Sequence, residues 1–311
     1  MASPITLVAT VGDPRGVGVE VMPGAAQAVL ADDPALNLII LGWVGEAPFA
    51  HERVRWVPES TFDGSPEGAG SVALSAIREG VRLCAGGAAQ GLVTGPVHKG
   101  ALRLAGSEHP GQTELLADLT GTDQVGMLMA SEAGLLGHPV RVLLATTHLA
   151  LRDVPTAVTA DLLVDQTQLL SHALSRGWGI EAPDLALCAL NPHASDDGLF
   201  GDEEARVFLP AMTRLAAQGV QVTGPVPADT VFRRAALGEF DAVVAPYHDV
   251  GMAAFKSLAF GTGVNTTIGL PFPRTSPDHG TAFDLVGTGR ADPGSAIAAF
   301  QLAGRLARAG A

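Results

Sequence analysis

The stretch ITLVATVGDPRGVGVEV, residues 5–21, decides the fold. Ile5–Val11 is an apolar, β-rich run, and Glu20–Leu30 just beyond it carries apolar residues at helical spacing. Gly12-Asp13-Pro14-Arg15-Gly16-Val17-Gly18-Val19-Glu20 therefore stands at a strand-to-helix turn, the place of a phosphate loop. No Gly-Lys-Ser/Thr follows it, so it is not a Walker A sequence, and it misses the GxGxxG spacing. Gly261-Thr262-Gly263 misses that spacing too, because Thr266 stands where the third glycine belongs. Read on its own residues, the first motif is a glycine-tight turn in an α/β protein that lacks a Rossmann fingerprint.

The rest of the chain repeats this alternation. Leu36–Leu41, Gly91–Thr94, Arg141–Thr146, Leu185–Leu190 and Ala242–Ala245 read as buried strands. Gly70–Ala85, Ala157–Arg176, Asp202–Gln218 and Ser295–Ala307 show helical spacing, which together predicts an α/β fold around a largely parallel sheet. A length of 311 residues suits two domains or one large one, and composition marks no linker between them. The balance of 19 basic against 32 acidic residues, a net charge of −13, argues against a nucleic-acid partner. With 47% hydrophobic and only 16% charged residues, the chain can bury a sizeable core. Cys84 and Cys188 lie far apart and outside any CxxC, so two buried thiols are expected rather than a disulfide or a zinc ribbon. The first residues lack a basic targeting region, and no apolar run approaches the ~20 residues of a membrane helix, so a cytoplasmic protein without membrane contact is expected.

Three of the nine histidines follow predicted strands in polar loops: Thr147-His148, Asn191-Pro192-His193 and Tyr247-His248-Asp249. Strand ends of a parallel sheet converge on one edge, so the three imidazoles are candidates for one site. Imidazole suits Zn²⁺, Co²⁺ or Fe²⁺, and three histidines with open positions form a catalytic rather than a structural pattern. Any one loop histidine taken alone is an ordinary hydrogen-bonding residue. A second cluster holds Lys256, Asn265, Arg274, Thr275, Ser276, Asp278, His279 and Asp284, with Gly269–Ser276 read as a rigid, turn-rich loop that presents a guanidinium. Basic groups gathered there in an acidic protein suggest a small anionic substrate.

At this point the residues become familiar. GDPRGVGVE (12–20), TGPVHKGAL (94–102), PGQTELLA (110–117), TTHLALRDVP (146–155), LNPHASDDGLFGDEE (190–204), GPVPADTVF (224–232), YHDVGMAAFK (247–256) and GVNTTIGLPFPRTSPDHGTAFDLVGTG (263–289) resemble the 4-hydroxythreonine-4-phosphate dehydrogenase family across essentially the whole chain. The resemblance implies an isocitrate/isopropylmalate-dehydrogenase-like α/β fold of two α/β/α domains with an active-site cleft between them. The expected division is 1–108 with 264–311 as a discontinuous first domain, and 109–263 as a second domain carrying the metal ligands and a dimer interface.

The resemblance further implies a homodimer in which His148, His193 and His248 hold one divalent ion, zinc, magnesium or cobalt, drawn from both subunits. It assigns Gln112, Thr113, Lys256, Asn265 and Arg274 to a small anionic, phosphorylated substrate, and His279, Gly280 and Asp284 to NAD. The implied reaction oxidises 4-hydroxythreonine 4-phosphate to a 3-keto acid that loses CO₂ to give 3-amino-2-oxopropyl phosphate, in pyridoxal phosphate biosynthesis. Lys256, Asp249 and Asp229 are the candidates for the general base. Departures from the family pattern are Gln112 where the family has His, Val250 after Tyr-His-Asp, Arg15 and Val19 in the first glycine motif, and a longer turn at Ala133–Pro139. Gln112 cannot become a cation. The alternative is therefore a sister dehydrogenase acting on another anionic diol or hydroxy acid, such as erythronate or threonate 4-phosphate or an aromatic cis-dihydrodiol carboxylate.

Overall fold

The computed structural model describes residues 3–45 and 47–310, which divide into two compact units. Unit 1 comprises residues 1–125 and 264–311, and unit 2 residues 126–263. Residues 109–125 belong with unit 1 because Leu115 and Leu116 enter its core beside Ile77, Leu83 and Leu102.

Unit 1 runs β1 (Ile5–Thr10), α1 (Gly18–Asp32), β2 (Leu36–Trp43), β3 (Val54–Ser60), α2 (Pro66–Ala85), β4 (Gly91–Thr94), α3 (Lys99–Leu104) and α4 (Gln112–Thr120). It resumes after unit 2 with β10 (Val264–Ile268), β11 (Arg274–Pro277) and α10 (Gly294–Ala309). The strand order is β3-β2-β1-β4-β11-β10, parallel throughout except for the β10–β11 hairpin. α2 begins where Ser65 accepts from the Gly68 N–H and Pro66 supplies a preset φ at the first helical position. Its apolar stripe, with Ala73, Ile77 and Cys84, covers Val8, Ile39, Leu41 and Leu92 on one face of the sheet. α1 and α10 pack together, and α10 lies over β1, β4 and β11.

Unit 2 runs β5 (Gly126–Ser131), β6 (Val140–Leu144), α5 (Val154–Ala157), α6 (Ala160–Ala173), β7 (Leu185–Cys188), α7 (Leu209–Ala217), β8 (Val222–Val226), α8 (Ala228–Ala236), β9 (Ala242–Ala245) and α9 (His248–Ala259). Its strand order is β5-β6-β9-β7-β8, with only the β5–β6 pair antiparallel. Phe232 and Phe240, with Phe255 on α9, pack over Val142, Cys188, Val226 and Val243. Ala133–Pro139 lies in the turn of the β5–β6 hairpin, and the Leu135 N–H ties it to the Leu258 carbonyl at the end of α9.

The six strands read from apolar runs are present, while β3, β5, β8, β10 and β11 lie outside those runs, and several of the differences have physical causes. β3 is an edge strand, half-buried and mixed in composition, so its sequence lacks an apolar run. Arg274–Ser276, expected in a loop, begins β11, whose four residues are all buried in the hairpin with β10. The helical segments expected at 157–176 and 202–218 each run into or contain one π-helical turn, at Leu174–Trp178 and Glu204–Phe208. Cys84 and Cys188 are buried free thiols, and burial pushes both thiol pKa values up to about 12. Among the described residues, no helix is long and apolar enough to cross a membrane.

Candidate functional site

In unit 2 the register of two neighbouring parallel strands brings histidines together. β6 and β9 pair with Leu144 opposite Ala245, and the pairing continues as the Ala145 N–H donates to the Ala245 carbonyl. The Thr146 hydroxyl then donates to the Pro246 carbonyl at 2.8 Å. His148 and His248 leave these ends side by side, and their ring centroids stand 5.7 Å apart. Two imidazoles bound to one ion at ~2.1 Å put their centroids roughly 5 Å apart, so the spacing fits a shared cation. His248 Nδ1 lies 2.7 Å from Asp249 Oδ1. A carboxylate on one ring nitrogen sets the tautomer that leaves Nε2 as a metal-facing lone pair. This gives Asp249 an orienting contact, whereas Asp229 is exposed in the first turn of α8. Lys256 is half-buried on α9, eight residues after His248 and thus near the same helix face.

His193 follows β7, the other neighbour of β9, but a bent loop carries its ring away against Phe200, with centroids 6.4 Å apart. Among the described residues, no three His, Cys, Asp or Glu side chains of one chain are grouped closely enough to hold a metal. The shared arrangement implied by the resemblance does not require the three to meet within one chain. His193, Ala194, Ser195, Asp196 and Asp197 all have φ between +46° and +75°, a left-handed run with no glycine in it. Asp196 and Asp197 enter this region readily, but His193, Ala194 and Ser195 each cost about 1–2 kcal/mol relative to the right-handed form, so the start of the loop needs support.

That support comes from Glu204, a residue the sequence did not single out. It is buried, with 3% exposure, and accepts from the Leu190 and Asn191 backbone N–H groups at 2.9 and 2.8 Å. Its other oxygen accepts from Asn191 Nδ2 at 2.9 Å and from the Ser195 hydroxyl. Burial pushes the Glu204 carboxyl upward, but the donors from Asn191 and Ser195 outweigh it and hold the pKa below the ordinary value. Asn191 Nδ2 also donates to Glu203 at 2.7 Å, so consecutive carboxylates grip one amide at the start of a π-helical turn.

Unit 1 holds the anion-binding candidates. Arg274 is 2% exposed, and its guanidinium donates to two neutral hydroxyls, Thr267 Oγ1 at 2.9 Å and Thr94 Oγ1 at 2.6 Å. Its Nε–H has no partner among the described residues. Desolvation lowers its pKa to about 10, with Glu114 acting in the opposite sense, so it remains a cation at neutral pH. Asn265 and Thr267 alternate onto one face of β10, the face to which Arg274 bonds. Gln112 opens α4 and donates through Nε2 to the Gly95 carbonyl at 3.4 Å, beside the Thr94 that Arg274 touches. The Oδ1 of Asn265 and the Oε1 of Gln112 are buried and unpartnered. Buried polar atoms are ordinarily satisfied, so these orphans, together with the Arg274 Nε–H, are the groups a polar ligand would satisfy. Thr113 follows Gln112 in the first turn of α4.

The segment assigned to NAD is held by the first glycine motif. The Val17 N–H donates to the Thr281 carbonyl at 2.9 Å, and the Gly287 N–H to Glu20 at 2.7 Å. A Cβ on Gly16 would stand 2.8 Å from the Thr281 carbonyl oxygen, so glycine is needed for this close approach. Arg15, paired with Asp13 at 2.7 Å, lies 5.3 Å over the Phe283 ring, and the ring of His98 stands 5.6 Å from the same phenyl. The motif that looks like a phosphate loop thus acts as a clasp on 281–287. In and just before the clasped segment Asp284 and Gly280 are exposed, and His279 Nδ1 lies 2.9 Å from the Gly280 carbonyl. With Nδ1 donating there, the buried and unpartnered His279 Nε2 is a lone pair suited to an exocyclic amine.

The chain matches the model of the pyridoxal phosphate biosynthetic protein PdxA family over residues 46–303. A 4-hydroxythreonine-4-phosphate dehydrogenase from Chromobacterium violaceum is 41% identical over 326 residues, covering 97% of this chain and 96% of the relative. The crystal structure of a 4-hydroxythreonine-4-phosphate dehydrogenase from Klebsiella pneumoniae superposes with a TM-score of 0.82 at 34% identity, covering 97% of this chain and 99% of that one. An isocitrate dehydrogenase from Methylococcus capsulatus shares the fold alone, with a TM-score of 0.57 at 14% identity and 98% and 87% coverage. The isocitrate-dehydrogenase-like α/β fold expected from the sequence is therefore the one observed, and the chain belongs to the pyridoxal phosphate biosynthetic protein PdxA family.

Proposed function

We propose that the protein is an NAD-dependent, divalent-metal-requiring dehydrogenase. It oxidises 4-hydroxythreonine 4-phosphate to a 3-keto acid that decarboxylates to 3-amino-2-oxopropyl phosphate. The observation that carries this reading is Arg274, a fully buried cation held by two threonine hydroxyls with an unsatisfied Nε–H. Burying a guanidinium beside neutral groups is costly, and an anionic substrate repays that cost on binding.

His148, His248 and a His193 contributed by the partner in a homodimer would hold the ion. Three neutral imidazoles suit zinc or cobalt better than magnesium, which prefers oxygen. When bound, the metal supplies Lewis-acid polarisation of the carbinol and of the keto group that forms. His279, Gly280 and Asp284 would hold the adenosine side of NAD, which would supply the hydride acceptor. The chain's own residues do the rest. Arg274 fixes the anionic end and Asn265 Oδ1 accepts from a substrate hydroxyl or ammonium, while Asp249 keeps His248 in the tautomer that leaves Nε2 unprotonated. That contact occupies Asp249 Oδ1, and of the remaining candidates we assign the carbinol proton to Lys256 Nζ, as the uncharged amine that takes it up to become the ammonium, rather than to the exposed Asp229. With NAD⁺ and Co²⁺, 4-hydroxythreonine 4-phosphate is expected to yield one NADH and one CO₂ per molecule consumed, and EDTA to stop both. NADH without CO₂, or turnover indifferent to EDTA, would contradict the assignment.

Gln112 favours a second reading, a sister dehydrogenase for another anionic diol or hydroxy acid. Its orphan Oε1 accepts only, so it receives a hydroxyl or ammonium of the substrate and cannot supply positive charge. Gln112→His is expected to change the substrate ranking and to introduce a pH dependence of kcat/KM near the ~6.5 of a histidine. An unchanged ranking and profile would remove Gln112 from the specificity contacts, and this second reading would go with it.

A further inference from the structure

We infer that Glu204 is a positioning residue for the metal centre, acting through the strained loop that carries His193. This inference rests on the proposed metal role of His193. The hydrogen bonds of Glu204 reach neither His193 nor any other proposed ligand. Its four bonds fall on Leu190, Asn191 and Ser195, which flank His193 on both sides. Between these anchors lies the start of the left-handed run, with φ of 54° at His193, 57° at Ala194 and 75° at Ser195. Backbone bonds within the loop, such as the Ala194 N–H to the Asn191 carbonyl, do not offset the intrinsic cost of this conformation at His193, Ala194 and Ser195, so without the carboxylate the loop relaxes and His193 is re-aimed.

A carboxylate is better suited to this task than an amide. Its two oxygens face four donors, two backbone N–H groups on one and the Asn191 amide and Ser195 hydroxyl on the other. Glutamine keeps one oxygen for the backbone pair and turns an NH₂ toward Ser195, whose hydroxyl can reverse and accept it. The Asn191 amide still has Glu203 as an acceptor. Glu204→Gln should therefore retain most of the positioning, and Glu204→Ala should lose it.

The test is a titration of metal-free protein with Co²⁺ alone, followed by visible absorption and calorimetry at a temperature where each variant is folded. Glu204→Ala is expected to bind Co²⁺ roughly 10–100-fold more weakly than the parent, with an altered d–d spectrum, and Glu204→Gln to recover to within a few-fold. In a His193→Ala background, Glu204→Ala should weaken binding no further, because the two act through one ligand. A residue that merely stabilises the fold would lower the melting temperature and leave the Co²⁺ affinity of the folded protein unchanged. Parent-like Co²⁺ affinity and spectrum in Glu204→Ala, while His193→Ala loses them, would overturn the inference and leave the metal assignment standing. Parent-like binding by His193→Ala would instead overturn the metal assignment. If Glu204→Ala does not fold, Ser195→Ala carries the test: binding roughly 3–10-fold weaker supports the inference and unchanged binding overturns it.

Discussion

Alanine at His148, His193 or His248 is expected to lower turnover by roughly 10³-fold or more, because metal polarisation is worth several kcal/mol in the transition state. Each replacement should also weaken Co²⁺ binding while leaving far-UV circular dichroism and the melting temperature near those of the parent. All three rings are at the surface of unit 2 rather than in its core, so their removal opens no cavity. The effects should be unequal in origin. His148 and His248 are already paired at 5.7 Å by the β6–β9 register, whereas His193 depends on the loop held by Glu204. Mixing His148→Ala with His193→Ala protein should restore part of the activity, since a shared site regains one complete set of ligands when the chains exchange. Failure to complement after verified subunit exchange would argue for a site built within one chain.

Arg274→Met is expected to reduce kcat/KM by roughly 10–200-fold through loss of a charge-assisted contact worth ~1.5–3 kcal/mol. The same change should leave the melting temperature equal to or above that of the parent. A fully buried guanidinium facing two hydroxyls contributes little to stability, and a methionine of similar length fills most of its volume. Arg274→Lys should not rescue activity, because one ammonium cannot span Thr94 and Thr267 while still presenting a donor in the Nε direction. Thermal melting and steady-state kinetics on the two variants check this directly. A large fall in melting temperature for Arg274→Met, with unchanged kcat/KM, would make Arg274 a structural residue.

Much of this site was legible in the sequence, for definite reasons. His148 and His248 follow apolar strands, and parallel strands place their ends on one edge, so position along the chain was enough to pair them. The same logic reached His193, but not the left-handed run that turns it against Phe200, since no glycine marks residues 193–197. The burial of Arg274 was hidden by the prolines and glycine before it, which signal a turn, while the short β10–β11 hairpin that encloses it has no apolar alternation. The role of the 12–20 motif was illegible because its partners, Thr281, Phe283 and Gly287, lie about as far away along the chain as any residues can. Glu204 was quoted within a family motif, yet one carboxylate among 32 acidic residues carries no mark of burial in its sequence.

A buried cation and a three-histidine metal centre are expected to serve the NAD-linked oxidation of a phosphorylated amino hydroxy acid. The most direct measurement is NADH formation at 340 nm with Co²⁺ present. The panel would be 4-hydroxythreonine 4-phosphate, erythronate 4-phosphate, threonate 4-phosphate, unphosphorylated 4-hydroxythreonine and an aromatic cis-dihydrodiol carboxylate. The prediction is that 4-hydroxythreonine 4-phosphate has the highest kcat/KM, and that its unphosphorylated form falls roughly 10-fold or more below it for want of the Arg274 contact. Equal rates with and without the phosphate, or a higher kcat/KM for the dihydrodiol, would contradict it.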